Sequence, residues 1–153
     1  MFNFFRKKAI QYFSEEEKQI ITSAIQFAEH KTSGEVRVYI ESKCSYVNAL
    51  DRAVEIFNKL EMYKTAQQNG VLVYVAVKDR QLAVYGDKGI HEKVGDEFWN
   101  TSVKKMLSHF NTKNYVDGIA NVVKDIGEAL QSHFPYNNKT DINELPDDIV
   151  FGK

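Results

Sequence analysis

A chain of 153 residues, of which 43% are hydrophobic, is long enough to bury one full core and too short for two ordinary ones. Its 20 Lys and Arg residues nearly balance its 21 Asp and Glu residues, and the net charge of -1 argues against nucleic acid as a partner. No apolar run reaches the roughly 18 to 20 residues that a membrane-spanning helix needs. The single cysteine, Cys44, cannot form an intramolecular disulfide, which favours a reducing compartment and predicts a cytoplasmic protein.

The first helix and the first strand are signalled by caps and by periodicity. Ser14 can form a capping box with Glu17, and Gly34 stands beyond the last turn, so the stretch between them is predicted to be an amphipathic helix. The stretch "GEVRVYIES" then alternates apolar and polar residues, which predicts a strand with one buried face. The residues predicted to face the core are Ile20, Ile21, Ala24, Phe27, Ala28, Val36, Val38 and Ile40.

A second helix and a β-hairpin follow. Apolar residues return at helical spacing between about residue 47 and residue 60, which predicts a helix. In "VLVYVAVKDRQLAVYG", two β-branched runs flank a short polar break, which predicts a hairpin with strands over residues 71–77 and 81–85. The first of these strands is apolar throughout and is expected at the centre of its sheet. The helix is predicted to bury Leu50, Ala53, Val54 and Phe57.

Two further helices and an extended tail complete the chain. Helical periodicity predicts helices over residues 91–110 and 114–134, and Pro and Asn residues punctuate the tail at residues 135–153. An apolar run at residues 149–151 can add one more strand. The two helices are predicted to bury Val94, Phe98, Val103, Met106, Leu107, Phe110, Ile119, Val122, Val123, Ile126 and Leu130.

The order of these elements, α-β-α-β-β-α-α, predicts the fold. A strand-helix-strand unit makes the first two strands parallel with a right-handed crossover, and the hairpin makes the third strand antiparallel to the second. We therefore expect a single α/β domain over residues 1–153, with an N-terminal segment at residues 1–13. Its architecture is a three-layer α/β/α sandwich around a mixed, partly antiparallel sheet.

This topology brings oxygen-bearing residues to one end of the sheet. Parallel strands start at the same edge, so Glu35 and Asn69 are expected there, and the third strand runs the other way and ends there at Asp87. Two carboxylates, an amide oxygen and backbone carbonyls are ligands that a hard cation prefers. The sequence predicts a site for Ca²⁺, with Mg²⁺ as the alternative, formed by Glu35, Asn69, Asp87 and, from the start of the last helix, Asp117.

Alternatives stay open for this end of the sheet. Asp87 lies in a glycine-bracketed turn and can instead cap the helix that follows. The start of that helix can also hold a phosphate, whereas His91 has no partner at a zinc-type spacing. Ligands of open parallel sheets usually bind at the carboxyl ends of the strands, which favours Glu41, Asp79 and Arg80 at the opposite edge.

Three runs, "TSGEVRVYIE", "NGVLVYVAVKDRQLAVYGDKGI" and "FNTKNYVDGI", occur in an order that resembles the TPM domain family over about residues 13–134. The resemblance implies an α/β/α sandwich with a mixed sheet and metal binding, notably of Ca²⁺, among related domains. The family includes a thylakoid-lumen protein of photosystem II repair described as an acid phosphatase. The resemblance therefore also implies a phosphatase activity.

Three functions are consistent with these patterns. The first is a soluble domain that binds a divalent cation and has a regulatory or protein-interaction role. The second is a metal-assisted acid phosphatase for phosphomonoesters, in which Asp87 or Glu35 ligates the metal or handles a water proton. The third is a structural or partner-binding domain whose polar end merely caps helices. The expected partners are a divalent cation and an unidentified protein, with no nucleic acid and no membrane span.

Overall fold

The computed structural model describes residues 8–136 and 148–153. The predicted N-terminal segment and tail therefore fall in part, at residues 1–7 and 137–147, outside the described residues. Two short 3₁₀ turns, Ala9–Tyr12 and Met62–Lys64, accompany the main elements. These elements are α1 (Glu15–Glu29), β1 (Glu35–Glu41), α2 (Ala49–Lys59), β2 (Gly70–Ala76), β3 (Gln81–Gly86), α3 (Lys88–Asn111), α4 (Tyr115–His133) and β4 (Val150–Phe151).

The four strands form one mixed sheet in the order β3-β2-β1-β4. β1 and β2 are parallel, with Glu35 opposite Gly70, and β2 and β3 are antiparallel, with Val71 opposite Gly86. β4 pairs parallel with β1 and places Val150 opposite Tyr39, so the predicted extra strand is present. The predicted element order, the parallel first pair and the antiparallel hairpin are confirmed.

Helices cover both faces of the sheet, as the predicted α/β/α sandwich requires. α2 packs over one face of β2 and β3, and α1, α3 and α4 pack against the other face. Every residue of β2 is buried, which confirms the prediction that the more apolar hairpin strand is central. Because successive side chains of a strand alternate between faces, β2 contributes to both hydrophobic clusters. Its contributions are Val71, Val73 and Val75 on one face and Leu72, Tyr74 and Ala76 on the other.

The helices were predicted more accurately in position than in orientation. In α1, Ile21, Ile25 and Ala28 are buried, whereas Ile20 is 50% exposed and Phe27 is 72% exposed. The prediction that Ile20 and Phe27 face the core is wrong, because α4 and the sheet contact a narrower stripe than the apolar residues of α1 provide. The same correction applies to Leu50 in α2 and Leu107 in α3, which are 45% and 37% exposed.

Helix α3 is interrupted at Gly95, whose φ of 77° and ψ of 173° are not helical. A positive φ is accessible to glycine because it lacks a Cβ atom. The first segment of α3 begins beside the end of β3, and the second segment places Trp99 against Gly86 and carries Met106 and Phe110 into the core. Because of the break, the first segment of α3 can pack beside the end of β3 while the second segment packs on the face of the sheet.

The direction of α4 decides which of its residues can approach the strand starts. Leu130, near the carboxyl end of α4, lies against Gly34, and Thr32 donates a hydrogen bond to the Leu130 carbonyl at 3.1 Å. Gly118, near the other end of α4, contacts Met106 and His109 of α3. The amino end of α4 therefore lies away from the start of β1. Within residues 8–136 and 148–153, no helix combines the length and the apolar character needed to cross a bilayer.

Candidate functional site

The structure brings Glu35, Asn69 and Asp87 to the same edge of the sheet, and we call these three residues the rim. The Glu35 amide donates to the Asn69 carbonyl at 3.3 Å, and the Asp87 amide donates to the Gly70 carbonyl at 2.9 Å. Glu35 and Asp87 thus flank Gly70 from its two neighbouring strands. Two interstrand spacings of about 4.8 Å place their Cα atoms about 10 Å apart, a span that two acidic side chains can close around one ion.

Asn69 is held in the rim by the loop before β2. It is 1% exposed, and its Nδ2 donates to the Ser33 Oγ at 3.1 Å. Gln67 donates to the same oxygen at 3.1 Å, and the Asn69 amide donates to the Thr65 Oγ1 at 3.2 Å. These bonds fix the amide plane, yet the Asn69 Oδ1 is buried and accepts no hydrogen bond within the described part of the chain. Such an oxygen is a costly feature unless a ligand or a water molecule satisfies it.

Asp87 performs the capping role that was one of the two predictions for it. It is the N-cap of α3, and its Oδ1 accepts the Lys88 amide at 2.7 Å. Its second oxygen, Oδ2, is buried and has no hydrogen-bond partner among the described residues. Capping and cation binding are therefore compatible, because each uses a different carboxylate oxygen.

Glu35 supplies the second carboxylate of the rim. It is the first residue of β1 and is 2% exposed, so its charge is held away from bulk water. Arg37, two residues along and on the same face of β1, is also buried, at 8% exposure. A carboxylate taken out of water is stabilised only by nearby positive charge and hydrogen bonds. Glu35 and Arg37 thus place a carboxylate and a guanidinium close together at buried positions of β1.

Asp117 is not brought to the rim. It lies in the first turn of α4, is exposed, and its Oδ2 accepts the Asn114 Nδ2 at 2.9 Å. A rise of about 1.5 Å per residue places Asp117 about 20 Å from Leu130, the α4 residue that lies near the strand starts. The sequence placed Asp117 with the others because the direction of α4 could not be read from its periodicity.

The rim offers few side-chain oxygens that could ligate a metal. Among the described residues, no three His, Cys, Asp or Glu side chains come together as a metal-binding group. The rim offers two carboxylates and one amide oxygen, so a bound Ca²⁺, which takes six to eight oxygens, would need water for the rest of its coordination. This arrangement suits a weak hydrated site and does not suit a closed cage of protein ligands.

The opposite edge of the sheet carries a structural ion pair. Glu41 is 7% exposed and accepts two hydrogen bonds from Arg52, each 2.9 Å long, and a third from the Tyr74 hydroxyl. The hydrogen bond from Arg52 to Glu41 raises the pKa of Arg52, and burial, followed by the bond to Glu41, raises the pKa of Tyr74. The hydrogen bonds from Arg52 and Tyr74 already occupy the Glu41 carboxylate. Glu41 is therefore a poor candidate ligand for a metal at this alternative site.

The other members of the alternative site have local roles. The Asp79 Oδ2 accepts the Cys44 amide at 2.9 Å and so ties the hairpin turn to the segment after β1. Arg80 has a φ of 53°, in the left-handed region, as the turn between β2 and β3 requires. Asp79 and Arg80 therefore serve the structure of the hairpin turn.

The start of α3 is less open to phosphate than its sequence suggested. The Lys88 amide is bonded to Asp87, and the Ile90 amide donates to the Gln68 carbonyl at 3.3 Å. His91 accepts a hydrogen bond from the Trp99 Nε1 at its Nδ1, at 2.9 Å, and so belongs to a local contact across the Gly95 break. The phosphatase activity implied by the family resemblance stays a prediction.

Sequence reasoning missed the residues that support the site. Ser33 accepts hydrogen bonds from Asn69 and Gln67, while Arg52 compensates the charge of Glu41 and Tyr74 adds a hydrogen bond to it. The polar Tyr74 inside an apolar strand was a usable signal, since a buried Tyr hydroxyl needs a partner. The hydrogen bonds of Ser33 had no such signal, because they join loops that are distant in sequence.

The class of domain is a three-layer sandwich with a mixed sheet and an acidic rim at its strand starts. Comparison with known protein families identifies the family. The profile of the TPM domain matches residues 7–129, and the chain belongs to this family.

Two solved structures show how closely the fold is shared. The BA42 protein from the psychrophilic bacterium Bizionia argentinensis is 41% identical over 92% of this chain and 95% of that chain, with a TM-score of 0.82. The N-terminal domain of the cg2496 protein from Corynebacterium glutamicum is 12% identical over 78% of this chain and 75% of that chain, with a TM-score of 0.61, and shares the fold alone. No curated protein sequence matches the chain significantly.

Proposed function

We propose that this TPM domain binds a divalent cation, Ca²⁺ in preference to Mg²⁺, at the rim formed by Glu35, Asn69 and Asp87, and that the cation has a regulatory role or a role in protein interaction. The observation that carries the proposal is the pair of buried oxygens, Asn69 Oδ1 and Asp87 Oδ2, that accept no hydrogen bond from the described residues. Asn69 directly precedes Gly70, and Asp87 lies opposite Gly70 on the neighbouring strand, at the edge where Glu35 begins β1.

The chemistry of the rim favours Ca²⁺. Ca²⁺ accepts irregular sets of oxygens at about 2.3 to 2.6 Å, whereas Mg²⁺ demands a near-ideal octahedron at about 2.0 to 2.1 Å. The rim residues are fixed by the sheet and by the α3 cap, so they cannot contract around a small ion. With two carboxylates and water completing the shell, we expect a dissociation constant of about 10⁻⁴ to 10⁻³ M, the range of weakly charged Ca²⁺ sites.

A Ca²⁺ titration followed by amide chemical shifts tests the proposal. On addition of CaCl₂ to about 10 mM, a level above the expected dissociation constant, the amides of residues 34–36, 69–70 and 86–91 should shift together along one saturation curve. Asp87→Asn should weaken binding at least tenfold, because it removes the charge of one ligand. The variant should still fold, since Asn is as good an N-cap as Asp.

Asp117→Asn is the matched control. It makes the same chemical change in the first turn of another helix, away from the rim, and should leave the Ca²⁺ affinity unchanged. If the chemical shifts of the rim amides do not change at millimolar Ca²⁺, the proposal is wrong. Equal weakening by Asp87→Asn and Asp117→Asn would also contradict it, since it would indicate a diffuse attraction to negative charge.

A further inference from the structure

The side of α1 that faces away from the sheet carries two large apolar residues. Phe27 is 72% exposed, more than any other aromatic side chain among the described residues, and Ile20 is 50% exposed. The two positions are nearly two helical turns apart, so their side chains lie in one row along the outside of the helix. A row of this kind, bordered by polar side chains, is typical of a protein interaction surface.

The residues between and beside this row are small or uncharged. Ser23, which is exposed, and Ala24, which is half-buried, lie between Ile20 and Phe27. Because both side chains are short, a second helix can approach closely at this point. Gln19 and Gln26 border the row on its solvent side and carry no charge that would oppose such an approach.

The row is its own complement when it is reversed. In chain order it carries an acid, an apolar residue, two small residues, an apolar residue and a base, namely Glu16, Ile20, Ser23, Ala24, Phe27 and Lys31, and we call these six residues the α1 face. Lys31 is exposed and continues the row because His30 before it has a helical backbone. A two-fold axis midway along the face would place Ile20 of one copy on Phe27 of the other, and Glu16 on Lys31.

The other charged residues of α1 do not oppose this pairing. Lys18 forms an ion pair with Glu15 at 2.8 Å, so these two charges compensate each other. Glu17 belongs to the capping box at the amino end of α1. Glu29 accepts the Val36 amide at 2.7 Å and therefore points toward the sheet and away from the α1 face.

The charged residues of α4 beside the face have the same polarity. α4 packs along one side of α1, with Gly127 against Ala28. The exposed Lys124 is one turn before Gly127, beside the middle of the face, and Asp117 lies nearer the acidic amino end. Glu128 lines a cleft between α3 and α4, on the other side of α4. The face is thus acidic at its amino end and basic at its carboxyl end, which an antiparallel copy complements and a parallel copy opposes.

We propose that the α1 face binds the α1 face of a second copy of this chain, so that the two α1 helices pack antiparallel about a two-fold axis. Ile20 of each copy packs on Phe27 of the other, and Glu16 of each copy pairs with Lys31 of the other. The occupant is a second copy because the face complements itself in both apolar contact and charge. Two apolar side chains from each copy make an interface below about 1,200 Å², so we expect a weak dimer with a dissociation constant of about 10⁻⁴ to 10⁻³ M.

Sedimentation equilibrium of the full chain tests the proposal between about 20 μM and about 2 mM, a range that brackets the expected dissociation constant. The average mass should rise from 17.6 kDa toward twice that value along one monomer–dimer curve. The amide chemical shifts of residues 16–31 should change with concentration on the same curve. The experiment is run in EDTA, so its result does not depend on the cation site.

Phe27→Asp should weaken the association at least tenfold, because it replaces an apolar contact that occurs twice in the dimer. Leu50→Asp, at an exposed apolar position in α2 away from the face, is the matched control and should leave the association unchanged. Both positions are on exposed helix surfaces, so both variants should fold.

A charge swap tests the antiparallel arrangement. Glu16→Lys alone or Lys31→Glu alone brings like charges together across the axis, and each should weaken the association at least fivefold. The double variant should recover the wild-type dissociation constant within about twofold, since it restores opposite charges. Within one chain the two positions are about 22 Å apart along the helix, so only contact between copies can produce this recovery.

Four results would overturn the proposal. They are a mass that stays at 17.6 kDa up to about 2 mM, the upper end of the expected range, equal weakening by Phe27→Asp and Leu50→Asp, and no recovery in the charge-swap double variant. The fourth is a lower urea midpoint for Phe27→Asp in a protein that is monomeric throughout, since this would assign the α1 face to another segment of the same chain.

Discussion

Tyr74 shows how a single polar residue is accommodated at the centre of an apolar strand. Its side chain has no exposed surface, stacks against Tyr39 at a ring-centroid distance of 6.2 Å, and donates its hydroxyl proton to Glu41. Arg52 pairs with the same carboxylate from α2. The hydroxyl thus completes an ion pair that joins β1, β2 and α2, and breaking it leaves a buried oxygen with one fewer donor.

Tyr74→Phe should change both the stability and its pH dependence. At neutral pH, we expect a loss of about 1 to 3 kcal/mol in the free energy of unfolding, because a buried acceptor loses its donor. The raised pKa of Tyr74 means that only the unfolded chain ionises as the pH passes its ordinary value of 10.0. The unfolded state then binds fewer protons than the folded state, so the wild-type protein loses stability as the pH rises.

Urea unfolding between neutral pH and about pH 11 measures this effect. Above the ordinary tyrosine pKa, one such group costs up to about 1.4 kcal/mol per pH unit. The stability of Tyr74→Phe should therefore fall less steeply than that of the wild type, although Tyr39, whose pKa burial also raises, still contributes a slope of the same sign. Parallel slopes for the two proteins would contradict the assignment.

Gly86 illustrates a close approach that no other residue allows. A Cβ atom at this position would overlap the Trp99 ring, so Gly86→Ala forces the ring to move. We expect a loss of about 1 to 3 kcal/mol, as for overpacked core sites. A shift in Trp99 fluorescence should accompany it, because the ring also donates to His91. Unchanged urea midpoint and fluorescence would show that the contact is looser than the structure indicates.

At the scale of elements, α1 is the clearest case of local sequence deciding structure. Ser14 accepts the Glu17 amide at 3.1 Å, and the Glu17 carboxylate accepts the Ser14 amide at 2.8 Å, so the predicted capping box is present. Three acidic residues in the first turn add a favourable interaction with the helix dipole. The position of the helix was therefore predictable, whereas its buried stripe depended on α4.

Ser14→Ala should destabilise the protein by about 1 kcal/mol, because it removes the side-chain acceptor for an otherwise unpaired helix amide. Ser23→Ala, on the exposed side of the same helix, is the matched control and should change the stability by less than about 0.5 kcal/mol. Chemical denaturation of both variants measures the difference. Equal effects would mean that the capping box contributes nothing to the folded state.

For the whole molecule, the cation proposal predicts a linkage between Ca²⁺ and stability. A ligand that binds only the folded state adds about 2.7 kcal/mol to the free energy of unfolding at 100 times its dissociation constant. The rim joins β1, β2 and α3, so the whole domain should gain this stability in one transition. In Asp87→Asn the gain should fall by about 1.3 kcal/mol or more, as a tenfold or larger loss of affinity requires. It should be absent with NaCl at matched ionic strength, and an equal gain in that variant would refute the rim as the site.

Much of the fold could be predicted because its signals are local. Caps, strand alternation and the apolar hairpin predicted the element order, the central position of β2 and the parallel pairing of β1 with it. Pairing direction then placed Glu35, Asn69 and Asp87 at one edge without any knowledge of side-chain packing. The sequence by itself thus determined the layers of this TPM domain and the meeting of three of the four predicted residues at one edge of the sheet.

Only the tertiary structure decided what those elements contact. It turned α4 so that Asp117 lies far from the rim, exposed Phe27, and assigned Ser33 to hold Asn69. The physical reason is that burial and hydrogen-bond partners depend on contacts between segments that are distant in sequence. Helical periodicity predicts that one face of a helix is buried. The element that packs against this face decides how wide the buried face is and which way the helix runs.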